Sequence, residues 1–316
     1  MKKIPFVSII VSTYDRKELL EKCIYSLFDQ LYPRDRFEIL IIDGGSKDGT
    51  DDLIKELIKT TQYNFRLIKQ TGQGLSDARN IGIRESKGEI IAFIDDDGIA
   101  DENWIVELTK VYTTENIVSA GGKIIPLWLD GKPTWYTDRL DSYLSLLDFS
   151  QNAEQIFFPY IPFGCNMTFR KIIFEEIGYF DDSFGRNLSR SNLLSHEEFD
   201  LYKRINEKHY VTMYNPRALV YHQIDSSRIT KTWFKDRSYW SGISSAVFDK
   251  KYYNKSFMFN SIIKSLLAIP YNAALYSFEK IKMDNKSSFL RELRFLSHIG
   301  YIKESLILFS EGKNEL

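Results

Sequence analysis

Cysteine is nearly missing from this chain. The 316 residues contain two, Cys23 and Cys165, each inside an apolar segment and neither in a metal-ligand spacing. That excludes a disulfide scaffold and a zinc site and reads as a protein of a reducing cytoplasm. Neither sign of charge is in excess, with 42 basic against 43 acidic residues, so no global field points to nucleic acid. No internal repeat and no low-complexity linker interrupts the chain. Lys2 and Lys3 precede the apolar run FVSIIVS, but that run is too short for a signal peptide and gives way to Tyr14-Asp15-Arg16, so it reads as a first strand. What the chain does have is apolar material, 43% hydrophobic and 15% aromatic, enough for one large domain and an appendage.

Short apolar runs alternate with helical stretches from residue 6 to 125. VSIIVS leads to a helix over about residues 16–30, FEILIID to a helix through DLIKELI, FRLIK to a helix over 75–84, and then EIIAFIDDD. Strands buried on both faces and separated by helices predict an α/β domain with a mostly parallel sheet and right-handed crossovers. Ligands of such sheets bind beyond the carboxyl ends of the strands. The residues there are Ser12-Thr13-Tyr14, Asp43-Gly44-Gly45-Ser46 and Asp95 to Asp97. Residues 126–225 continue the same domain, which places a boundary near 225 and leaves 226–316 as a mainly helical region.

The run FIDDDG at residues 93–98 carries the strongest chemical signal. Three adjacent aspartates at the end of a buried strand repel one another, and the cost falls when a divalent cation with its phosphates sits among them; a solvated acidic turn is the bland alternative. With a glycine-rich turn nearby, such a site suits a metal-bound nucleoside diphosphate, and Tyr14 could stack on a base. In DGGSKDGT, Ser46 or Asp48 could cap the following helix. The loop GQGLSDARNIGI enters a helix bearing Arg79 and Asn80, either of which could reach a phosphate, while Arg79 could instead pair with Asp77 or Glu85. SHEEFDLYKRI places Glu197, Glu198 and Asp200 at a helix start, where the macrodipole alone would justify them and where a carboxylate pair could also supply a general base. LVYH reads as a strand ending in His222, a surface histidine or a ligand.

Taken in order, VSIIVSTYDR, EILIIDGGSKDGT, GLSDARNIGI, IIAFIDDDG, GCNMTFRKIIFEEIGYFDD, EEFDLYKRI and NPRALVYH resemble the inverting family 2 glycosyltransferases over roughly residues 5–245. The resemblance implies a GT-A fold, a Rossmann-like sheet flanked by helices, and transfer of a sugar from a nucleotide-diphosphate donor to an acceptor hydroxyl with inversion. It assigns Ser12, Thr13, Tyr14, Asp43 and Arg79 to the nucleotide. Asp95, Asp96 and Asp97 match the DxD element, with Asp97 first for the metal, Asp95 shared between metal and ribose, Asp96 at the ribose, and His222 assisting. Oxygen ligands favour Mg²⁺ or Mn²⁺. The block 164–170 resembles the loop beside the acceptor. The base falls to Glu198, with Glu197 beside it. Gly44 stands where many relatives have a base-contacting aspartate, which leaves UDP, dTDP and GDP donors open, and the resemblance implies a saccharide or polyprenyl-linked acceptor in cell-surface polysaccharide, glycolipid or glycoprotein synthesis.

In the last third, FMFNSIIKSLLAI at 257–269 aligns Phe259, Ile262, Ile263, Leu266 and Leu267 on one face, and Pro270 should end that helix after thirteen residues, too short to span a bilayer. Ten basic residues against three acidic ones lie between Lys250 and Lys303. Two readings stay open, a helical subdomain or homodimer contact and a peripheral membrane contact at the inner face of the plasma membrane. The competing functions are a nucleotidyltransferase of similar α/β fold and a non-catalytic sugar-binding protein. A NAD-dependent dehydrogenase is disfavoured, because no GxGxxG follows the first strand.

Overall fold

The computed structural model describes residues 4–70, 74–185 and 193–311. Gly72 and most of the loop 184–192, both singled out in the sequence, lie outside these residues. The chain forms two compact units, the first made of 1–129, 144–182 and 197–224, the second of 130–143, 183–196 and 225–316.

The first unit is built on a sheet of nine strands among the described residues. β1 (Val7–Thr13), β2 (Phe37–Asp43), β3 (Phe65–Lys69) and β4 (Ile90–Phe93) pair in parallel in the order β3-β2-β1-β4. β1 and β2 are runs of β-branched and aliphatic residues with almost every side chain buried, the pattern of strands covered on both faces. Their connections are the helices α1 (Lys17–Phe28), α2 (Thr50–Thr60) and α3 (Leu75–Glu85).

Beyond β4 the sheet becomes mixed. β5 (Gly98–Ala100), β6 (Ile117–Trp128), β7 (Glu154–Ile156), β8 (Met167–Arg170) and β9 (Val211–Ile224) join it, with β8 antiparallel to both β4 and β6 and β9 parallel to β6. Short helices α4 (Trp104–Lys110), α5 (Ile173–Ile177) and α6 (Glu197–Glu207) complete the unit. The block 164–170 divides accordingly: Met167 to Arg170 are spent on the sheet, and Asn166 is fully buried, bonded to Trp104 Nε1, Lys123 O and Ala218 O. Gly164 and Cys165 are the part of the block that lies beside charged side chains, Gly164 at Arg79 and Glu198 and Cys165 at Asp95 and Asp97.

Two local expectations are corrected. The strand holding His222 does not end there, because β9 runs fourteen residues and pairs with β5, β6 and β7. Pro270 does not end its helix either.

The second unit is helical, with α7 (Lys231–Tyr252), α8 (Lys255–Ile281) and α9 (Asn285–Glu311). α8 passes through Pro270 for 27 residues. A helical proline costs about 3 kcal/mol, an amount that the burial of Met258 and Ile262 on one side of α8 can offset. α7 and α9 cross at two glycines: a Cβ on Gly242 would stand 2.0 Å from Ser297 O, and one on Gly300 2.1 Å from Tyr239 O. Trp135 belongs to this unit and meets Phe234 and Phe289 edge-on at 5.6 and 5.4 Å. No described helix is long and apolar enough to cross a membrane, even though α8 is longer than its sequence foretold.

Candidate active site

The carboxyl ends of the parallel strands gather the predicted residues, all within the first unit. β1 runs beyond β4, since the last paired residues are Ile10 and Phe93. The chain after Phe93 therefore turns beside the end of β1, and Thr13 Oγ1 donates to Asp96 Oδ2 at 2.9 Å. The turn closes through Gly98 N to Asp95 O, and Gly98 opens β5 opposite His222 on β9. That register brings His222 Nε2 to 3.2 Å from Asp97 Oδ1.

Arg16, to which sequence reasoning gave no role, is central to the cluster. Its Nη1 lies 3.0 Å from Asp96 Oδ1 and 2.8 Å from Asp97 Oδ2. The available signal was its position, two residues beyond Tyr14 at the same strand end. Asp96 is buried, and desolvation pushes its carboxyl up to about 6 against the pull of Arg16.

Arg79 is buried at the other side of the cluster. Its Nη1 stands 3.1 Å from Glu198 Oε1 and 3.3 Å from Glu197 Oε1, and its Nη2 stands 3.6 Å from Asp95 Oδ1. The alternative partners have other commitments, Asp77 to Gln70 and Glu85 to Arg66. The guanidinium thus ties Asp95 to the start of α6. Glu197 keeps 5% of its side chain exposed and Glu198 18%, so Glu198 has the more open carboxylate. Asp200, the third acid of that motif, is fully buried and pairs with Arg204 one turn on.

The remaining predicted residues divide into two groups. Tyr14 is exposed at the strand end with one ring edge toward Gly44, and Ser12 is half-buried on β1. Asp43 is fully buried, accepts from Ser46 N and Oγ and pairs with Lys69 at 2.6 Å. Asp48 accepts from Lys17 N and Thr50 N, which caps α1 as much as α2 and joins the first two loops.

The donors fit a hard divalent cation. Ligand atoms of Asp95, Asp97 and Cys165 lie within 4.8 Å of one another. Burial and the nearby aspartates hold the Cys165 thiol protonated, which leaves carboxylate oxygens as the ligands. His222 Nδ1 sits 2.8 Å from the carbonyl of Leu144, which can only accept. That contact orients the ring so that Nε2 faces Asp97 Oδ1 at the cluster.

The family model for glycosyl transferase family 2 matches residues 8–178. The chain belongs to that family. Among relatives of this family 2 member is a glucosyl-dolichyl phosphate glucuronosyltransferase of Haloferax volcanii, 26% identical over 271 residues that make up 83% of each chain. Glycosyltransferase AglE of the same organism is 29% identical over 177 residues, 56% of each chain. Among solved structures, a mannosyltransferase of Pyrobaculum calidifontis in complex with GDP-Man and Mn²⁺ superposes with a TM-score of 0.63 over 95% of this chain and 88% of that one, at 16% identity. The fold of this glycosyltransferase is the GT-A fold that its motifs imply, and family membership sets aside the nucleotidyltransferase and the non-catalytic binding protein.

Proposed function

We propose that this enzyme transfers a sugar, with inversion and with the help of Mn²⁺ or Mg²⁺, from a nucleoside-diphosphate donor to a hydroxyl of a polyprenyl-phosphate-linked saccharide. The observation that carries the reading is that Arg79 reaches both Asp95, at the strand end, and Glu197 and Glu198, at the start of α6. This supports a metal-bound donor at the aspartates with the base close by, since Asp95 meets Arg79 Nη2 while both glutamates meet Nη1. The glucuronosyltransferase relative acts on a dolichyl phosphate glycolipid by its name, which supports the acceptor class, and the two free buried thiols accord with work at the cytoplasmic side of a membrane.

Asp97, Asp95 and His222 would hold the cation, with Arg16 fixing the orientation of Asp96 and Asp97. When bound, it supplies charge neutralisation for a departing diphosphate. Ser12, Thr13 and Tyr14 line the base and ribose, with Asp43 shaping the adjacent loop. Glu198 takes the proton from the acceptor hydroxyl as that oxygen attacks the anomeric carbon and the bond to the diphosphate breaks. Glu197, more deeply buried on the same Arg79 nitrogen, orients it.

Calorimetry with UDP, dTDP and GDP, each with and without Mn²⁺, tests the donor site. One diphosphate should bind in a metal-dependent way and lose most of its affinity in Asp97→Asn. Equal affinity in the variant would move the metal away from Asp97.

A further inference from the structure

α8 is apolar on two opposite sides. On one it buries Met258 and Ile262 and packs chiefly on α9. At 3.6 residues per turn, the opposite side carries Phe259, Ile263, Leu266, Leu267, Phe278 and Ile281, all exposed, with Leu267 at 69% and Ile281 at 82%. A helix that meets its own unit on one side and water on the other is polar outward. A continuous outward stripe of large apolar groups marks a surface that binds something.

The charge beside the stripe says what it binds. Lys264 and Lys282 border it on one side, Lys255 and Lys280 on the other, and Lys282 Nζ lies 4.3 Å from the centre of the Phe278 ring. The helix contains a single acid, Glu279, which is turned inward to Arg291. We propose that this face of α8 docks in the plane of an anionic lipid bilayer, with its apolar side chains at the acyl boundary and its lysines at the phosphates. Crossing the bilayer is ruled out for α8 by its own polar content. A second copy of the chain fits less well, because pairing this face with itself sets lysine against lysine. The proposal needs neither donor nor acceptor, so it stands or falls separately from the reaction.

The test is co-sedimentation of the full chain with vesicles of phosphatidylcholine alone and of phosphatidylcholine with an equal part of phosphatidylglycerol. Binding is expected to the anionic vesicles and to weaken as salt rises. The exposed pair Leu267→Ser and Phe278→Ser should reduce it by about tenfold or more. Lys264→Glu with Lys282→Glu should erase the preference for anionic vesicles. Circular dichroism and nucleotide affinity should remain those of the parent in both. Absence of binding to anionic vesicles would overturn the proposal, and so would a stable dimer in analytical ultracentrifugation that the Leu267 and Phe278 changes dissociate.

Discussion

The two ends of the parallel strands both bury carboxylates, and they treat them differently. At the amino end Glu38 is fully buried, accepts from Ser8 Oγ at 2.6 Å and Lys87 N at 2.7 Å, and pairs with Arg66 at 3.1 Å. Every Glu38 oxygen has a partner, and the second acid on Arg66, Glu85 at 3.6 Å, is exposed to water, which screens its charge. At the carboxyl end Asp95, Asp96, Asp97, Glu197 and Glu198 share Arg16 and Arg79. Among the described residues five carboxylates crowd around two guanidiniums and His222, and in a medium of effective dielectric about 20 two like charges about 4 Å apart repel by about 4 kcal/mol. A buried acid whose charge is closed by its neighbours serves the fold. A crowd of acids gathered at the ligand-binding end of the sheet is a cost that a bound cation would lower.

The same isosteric change separates the two ends. Glu198→Gln removes a proton acceptor and keeps the shape, so turnover should fall by roughly 10²- to 10⁴-fold while diphosphate affinity and melting temperature hold. Steady-state kinetics with calorimetry reads this directly, and activity within a few-fold of the parent would transfer the base to another residue. Gly164→Ala is the next largest. A Cβ there would stand 2.0 Å from Arg79 Nη2 and 2.6 Å from Glu198 Oε1, so the ion pair must swing aside. Displacing a reacting group by about 1 Å costs about 10²-fold, and kcat should drop by about that much, with a fall in melting temperature beside it, since the displaced Arg79 is buried among three carboxylates. An unchanged kcat would show that the Arg79 to Glu198 pairing does not set the rate.

How much of this the sequence carried depends on the range of the cause. β1, β2 and β4 were legible because a strand buried on both faces writes its burial into consecutive residues, and the acids at their ends followed. Arg16 was not legible in the same way: its role depends on β1 outrunning its neighbour β4, which no local pattern states. His222 was a strand residue of undecided purpose, and its meeting with Asp97 is set by the pairing of Gly98 on the three-residue β5, too short to show a period. Pro270 misled for the opposite reason. Its local rule is strong, yet the helix continues where packing on one side holds it.

The smallest effect expected is also the one that most sharpens the comparison. In Glu38→Gln the amide oxygen can keep the bonds from Ser8 Oγ and Lys87 N, which share Oε1. The amide nitrogen then replaces Oε2 and faces Arg66 Nη2, donor against donor. Arg66 is partly exposed and can turn to water, so the loss is about 1–2 kcal/mol, below the cost of breaking a fully buried pair. The melting temperature should fall by a few degrees and kcat should stay at the parent value, the reverse of Glu198→Gln. A fall in kcat with no fall in stability would mean that the amino end of the sheet is coupled to the chemistry and that closed charge does not mark a purely structural acid.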